Sequence, residues 1–170
     1  MPRELFRRTV PRGSSIGFIG QSERTVIDMG FDYEQQKAYD IGISGENQFI
    51  SGMAGVGKTY VLKKIIQYWR EQGKKVIVCA YTKRAAINID DAAGMTIFEA
   101  FNAYPQGLVF DQQGLKRLSK SPAWNADVVI VDEISMCPKS LFSYICMVIR
   151  RISHDNGYKR ISLIVSGDFL

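Results

Sequence analysis

The stretch GMAGVGKT, residues 52–59, follows a short apolar run and precedes an amphipathic one. Glycines stand at 52, 55 and 57, and Lys58 and Thr59 close the segment. The spacing Gly52-x-x-x-x-Gly57-Lys58-Thr59 is that of a phosphate-binding loop. Phosphate oxygens need several backbone N–H groups turned into one concavity, and glycine lets the chain curl that tightly. A helix beginning at the lysine adds its first amides and its positive dipole end. In such a loop Lys58 reaches the β- and γ-phosphates of a nucleotide, and the Thr59 hydroxyl binds Mg2+. The candidate nucleotide cradle is therefore Gly52, Met53, Ala54, Gly55, Val56, Gly57, Lys58 and Thr59, with Tyr60 behind it.

Working outward, the run before the loop, NQFISG, reads as a buried strand. The run after it, KTYVLKKIIQYWREQG, repeats apolar residues at helical spacing (Val61, Leu62, Ile65, Ile66, Trp69) and stops at Gly73. KKVIVCAY, ADVVIVDE and RISLIVSGD read as three more buried strands. FDYEQQKAYDIGI begins a helix, with Asp32 as N-cap and Gln35 three positions later. Residues 82–104 read as one or two helical segments broken near Gly94, and Pro138 opens a helix running to about Ser153. Residues 104–126 are rich in turn formers, and residues 1–30 mix Pro, Gly, Ser and Arg without periodicity. Wholly apolar strands alternating with amphipathic helices predict an α/β fold, a mainly parallel sheet covered on both faces.

ADVVIVDE places Asp132 and Glu133 at the end of a buried strand, the edge where ligands bind in open α/β sheets. Asp132 is the candidate metal ligand alongside Thr59. Glu133 is the candidate catalytic carboxylate, placed to orient and deprotonate a water for attack on a γ-phosphate. Lys58 completes the catalytic set.

The bulk composition fits this reading. In 170 residues, 46% are hydrophobic and 23% charged, the balance of a globular domain with a real core. No apolar run approaches the ~20 residues that cross a bilayer. Three cysteines without a CxxC pair read as reduced core thiols, so an intracellular setting is expected, cytoplasmic or nucleoid/nuclear, with a mitochondrial address as the alternative. A single histidine, His154, argues against Ser-His-Asp chemistry and a zinc site. The net charge is +5, of which residues 1–24 carry +3 through Arg3, Arg7, Arg8, Arg12 and Arg24 against Glu4 and Glu23. That basic arm suits nucleic-acid phosphate or a solvated tail equally well.

The order FDYEQQ, GMAGVGKT, AYTKRAA, GMTIFEAF, VVIVDEISM, LIVSGDFL resembles the first motor domain of superfamily 1 DNA helicases of the PIF/RecD type over residues 31–170. The resemblance implies a P-loop NTPase (RecA-like) three-layer sandwich, incomplete at its C-terminus, and an ATP- and Mg2+-dependent motor moving 5′-to-3′ on single-stranded DNA. It implies that Gln35 reads adenine, although a capping role at the helix start competes. Thr82, with Lys83 and Arg84 after it and Thr96 in the next motif, is implied to contact the DNA strand. Gly167 and Asp168 are implied to sense the γ-phosphate. The sequence departs from the family at Tyr81, Lys83 and Phe98, where proline, glycine and histidine are usual; either aromatic could stack a base. The chain also stops one residue short of the family's next glutamine, so a missing second motor domain is expected, and the 170 residues alone should bind nucleotide weakly and not unwind DNA. A small P-loop kinase and a non-catalytic nucleotide-binding module are the competing readings. An acidic pair like Asp132-Glu133, within this resemblance, predicts that the strand near 161–165 lies between those near 48–51 and 128–131, with the strand near 76–79 outermost.

Overall fold

Successive side chains of a strand point to opposite faces, and the strands at 76–80, 128–132 and 162–167 fill both. The strand at 48–51, expected to be buried, buries only Ile50 and leaves Phe49 on its other face 52% exposed, because no further strand or helix among the described residues covers that edge. The computed structural model describes residues 30–103 and 111–168. The basic arm, most of the turn-rich segment's start (104–110), and Phe169 and Leu170 of the GDFL run lie outside the described residues.

In chain order the elements are α1 (Tyr33–Ile43), β1 (Gln48–Ser51), α2 (Lys58–Glu71), β2 (Val76–Ala80), α3 (Lys83–Ile89), β3 (Met95–Thr96), α4 (Ile97–Phe101), α5 (Gln112–Leu118), β4 (Val128–Asp132), α6 (Lys139–Asp155) and β5 (Ser162–Gly167). Short 3-10 turns, Pro122–Asn125 and Ile134–Met136, flank β4. All strand pairs are parallel, in the order β1-β5-β4-β2-β3.

One face of the sheet presents Ile77, Cys79, Val129, Val131 and Val165 to α4, α5 and α6. The other presents Ile50, Val78, Val128, Ile130 and Ile164 to α1, α2 and the end of α3. The result is the three-layer P-loop α/β sandwich that the sequence predicts. β5 does lie between β1 and β4. β2 is not outermost, however: the two-residue β3 pairs alongside it, Cys79 with Met95 and Ala80 with Thr96. Such a short strand has no alternation to read, and it sits inside the segment expected to be helical. α6 also runs two residues beyond the expected end, and it buries Tyr144 and Val148, whereas Phe142 and Cys146 are only half-buried.

Two connections brace the site. Arg70 on α2 forks onto the buried Asp90 at the end of α3, with N–O distances of 3.2 and 2.6 Å. The chain then turns so closely that a Cβ on Gly94 would stand 2.5 Å from the Ala86 carbonyl carbon and 2.7 Å from the Asp90 oxygen. Both obstacles are backbone and cannot rotate away. Gly94→Ala is therefore expected to destabilise the domain by about 2–3 kcal/mol, the usual cost of overpacking. Thermal unfolding measures it, and an unchanged midpoint would contradict the turn described.

The cysteines are free, but only Cys79 is the core thiol that the sequence predicts; Cys137 and Cys146 are half-buried. Cys79 is completely buried, and burial pushes its thiol pKa far up. Because the thiolate is the reactive form, Cys79 is expected to resist alkylation at neutral pH until the protein unfolds. Modification at the rate of a free thiol in the native protein would contradict this.

Candidate nucleotide-binding site

The strands end level with one another. Ser51 pairs with Gly167, Val131 with Val165, and Ala80 with Asp132. The loop after β1, the Asp132-Glu133 pair after β4, Asp168 after β5 and Thr82 after β2 therefore share one edge of the sheet. This is a consequence of register alone, and it gathers residues from positions 52 to 168.

The loop adopts the conformation its glycines allow. Gly55 and Gly57 have φ of 84° and 83°, a region costly for other residues. A Cβ on Gly57 would stand 2.6 Å from Gln35 Nε2, and one on Gly52 2.8 Å from a Val56 methyl. Gly57 is also the N-cap of α2 and offers no side chain to cap it, so the first-turn N–H groups are available to an anion. Lys58 folds back across the loop. Its Nζ donates to Gly52 O at 2.8 Å and Met53 O at 2.9 Å, and pairs with Asp168 Oδ1 at 2.5 Å. Thr59 is half-buried behind it.

Gln35 performs the capping role that the sequence suggests. Its N–H donates to Asp32 Oδ1 at 2.8 Å, and its Oε1 accepts from Asp32 N at 3.2 Å. It also plays a part that no sequence pattern signals. Its Nε2 donates to Val56 O at 3.1 Å, which fastens α1 to the crown of the loop. One amide hydrogen and one oxygen lone pair remain for a further partner. A cleft of about 490 Å³ between α1 and β1 is lined by Gln35, Gly52, Val56 and Lys58 among others.

Asp132 is buried at the end of β4, whereas Glu133 is exposed in a left-handed conformation, φ 51°. Strand alternation puts Asp132 on the same face as Ile130, the α2 side. Ser166 lies on that face too, beside Ile164, and its fully buried Oγ has no hydrogen-bond partner. The Asp132 carboxylate, the Ser166 hydroxyl and the Thr59 hydroxyl are all oxygen donors, the chemistry that suits hydrated Mg2+. Phosphate and Mg2+ thus both fit the residues present. Among the described residues, no group of three or more His, Cys, Asp or Glu side chains is placed to hold a metal ion.

A second cleft, about 550 Å³, brings Glu133 together with Thr82, Arg84, Asn88 and Asp91. Thr82 caps α3, accepting from Ala85 N, and Thr96 caps α4, accepting from Glu99 N. The Thr82 hydroxyl keeps its hydrogen to donate, whereas the Thr96 side chain also hydrogen-bonds the Glu99 carboxylate. Lys83 is already engaged, donating to Glu99 Oε2 at 3.1 Å. The Thr96 backbone N–H, and then Lys83, hold the Glu99 carboxyl below its ordinary range. The Thr96-x-x-Glu99 spacing is a capping-box signature that could have revealed Glu99 in the sequence. The rings of Tyr81 and Phe98 stand 6.3 Å apart, with Phe98 packed on the core and Tyr81 at the rim.

The family described as an AAA domain matches residues 35–168. The chain belongs to that family. Within it, the sequence is similar to the ATP-dependent DNA helicase PIF1 of Trypanosoma brucei brucei, 30% identical over 85% of this chain and 14% of that protein. PIF1 of Xenopus laevis is 32% identical over 96% of this chain and 26% of that protein. The fold is similar to the crystal structure of Pif1 helicase from Candida albicans (TM-score 0.68, 30% identity, 82% of this chain, 32% of that one). It is similar also to Pif1 helicase from Bacteroides in complex with ADP-AlF3 and ssDNA (TM-score 0.57, 30% identity, 81% and 32%). This AAA domain thus spans between 14% and 26% of the two curated relatives. Among its described residues no helix is long and apolar enough to cross a membrane.

Proposed function

We propose that residues 31–170 are the ATP-binding and ATP-hydrolysing first motor domain of a DNA helicase of the Pif1 type, moving 5′-to-3′ on single-stranded DNA, with residues 1–30 as a basic arm or linker. The observation that carries this reading is the level ending of β1, β5, β4 and β2, which gathers the phosphate loop, Asp132-Glu133 and Thr82 at one edge.

In this reading the 52–59 loop and the start of α2 cradle the phosphates, Lys58 meets the β- and γ-phosphates, and Gln35 recognises adenine. Thr59 and Asp132 would hold Mg2+, which supplies charge neutralisation across the phosphates. Glu133 orients the attacking water and accepts its proton. Gly167 and Asp168 respond to the γ-phosphate. Thr82, Arg84 and Thr96 take the single-stranded backbone, and Lys83 joins them once it leaves Glu99. The cleft shared by Glu133, Thr82 and Arg84 supports a short route between hydrolysis and strand contact. A second motor domain supplies the far side of both sites.

The test is ATP hydrolysis with and without single-stranded DNA, by the 170-residue chain and by a longer product carrying a second motor domain. Stimulation in the longer product supports the reading. A nucleotide-binding protein with no turnover in either form would leave only a binding module.

A further inference from the structure

An ammonium group has three N–H donors and no more. In Lys58 two of these go to backbone carbonyls, Gly52 O at 2.8 Å and Met53 O at 2.9 Å, and the ammonium also forms an ion pair with Asp168 Oδ1 at 2.5 Å. The Lys58 side chain is only 13% exposed, whereas that of Asp168 is 47% exposed. A phosphate oxygen that approaches the ammonium competes with these partners for it. The two carbonyls belong to the loop's own backbone and cannot leave without reshaping it. Asp168 follows the last residue of β5 and is the exposed partner. It is also the only anion of the three, so a phosphate replaces it charge for charge.

We infer that Asp168 is an intramolecular competitor for Lys58: its carboxylate occupies the ammonium site that a nucleotide's terminal phosphates take, and phosphate binding sets it free. This rests on the nucleotide-binding reading above and adds a mechanism to it. Asp168 is a positioning residue. It holds the Lys58 ammonium at the loop mouth, lowers the affinity for phosphate, and links occupancy of the loop to the end of β5. A released carboxylate carries its charge away from the loop, so the strand end changes its surroundings whenever phosphate enters.

The experiment compares the full chain with Asp168→Asn and Asp168→Glu, using inorganic pyrophosphate and ADP as probes in titration calorimetry. Pyrophosphate isolates the Lys58 interaction from any contact with the base. Removing the competing charge is expected to tighten binding of both probes by about 3- to 10-fold, the range of a half-exposed ion pair plus relief of repulsion. Asp168→Glu keeps the charge and should stay near the parent. Thermal unfolding gives an independent reading. Without ligand, Asp168→Asn should be no more stable than the parent, and with saturating pyrophosphate it should gain more. A purely structural Asp168 would lower stability without raising affinity. Equal or weaker binding by a folded Asp168→Asn overturns the competition. Failure of parent and both folded variants to bind either probe overturns the nucleotide reading itself.

Discussion

Glu133→Gln is expected to lower ATP turnover by about 10²- to 10⁴-fold, the usual contribution of a positioned general base. Nucleotide affinity should stay within a few-fold of the parent. Glutamine keeps the shape of the side chain and an oxygen that can orient water, but it cannot accept the proton. The remaining machinery is untouched: Lys58 keeps its contacts across the loop, and Asp132 stays buried at the end of β4. Glu133 itself is exposed and left-handed, at the first position after β4, and lines the cleft with Thr82 and Arg84. The measurement is single-turnover hydrolysis alongside nucleotide affinity, in a helicase that carries this domain. Turnover near the parent's would assign proton acceptance to a different group.

Lys58→Ala produces the other large effect, this time on binding. Affinity for ADP and ATP is expected to fall by about 100-fold or more, since charge-assisted bonds to phosphate are roughly twice as strong as neutral ones and each 1.4 kcal/mol is tenfold. The loss has two sources. The phosphates lose their cation, and Gly52 and Met53 lose the donor that bridges their carbonyls. Lys58→Arg separates them, because a planar fork restores the charge without the compact geometry of an ammonium. It should recover only part of the affinity. Binding by a folded Lys58→Ala protein within a few-fold of the parent would remove the loop from the nucleotide site.

The features most legible in the sequence were those with local chemistry or a strong period. The glycine spacing fixed the loop, and the buried runs VIVCA, VVIVD and SLIVSG each became a parallel strand. The place of β5 between β1 and β4 followed from the family resemblance rather than from any pattern in β5 itself. β3 was hidden because two residues cannot display alternation, and its pairing depends on the tight turn at Gly94. Gln35 was legible as a cap because Asp32-x-x-Gln35 is a local signature. Its bond to Val56 was not, because no pattern links positions 21 apart. The same holds for Lys58 and Asp168, and for Lys83, which sequence placed among strand contacts and the fold ties to Glu99. Long-range partners of polar side chains are set by topology, and topology emerges only after the strands have paired.

The pairing of β1 with β5 has a consequence for how the protein is made. Leu163 N donates to Asn47 Oδ1, 116 positions away, and this junction carries the loop strand. At a ribosomal rate of ~5–20 residues per second, β1 waits on the order of ten seconds for its neighbour. Contacts of such wide separation form late, because loop closure must be overcome before they stabilise anything. The phosphate loop is then the last part of the sheet edge to take shape. A phosphate ligand should slow unfolding in stopped-flow experiments while leaving the refolding rate unchanged, as contacts absent from the transition state do. During this interval β1 has no neighbour in the sheet, so this is when a chaperone has most to shield.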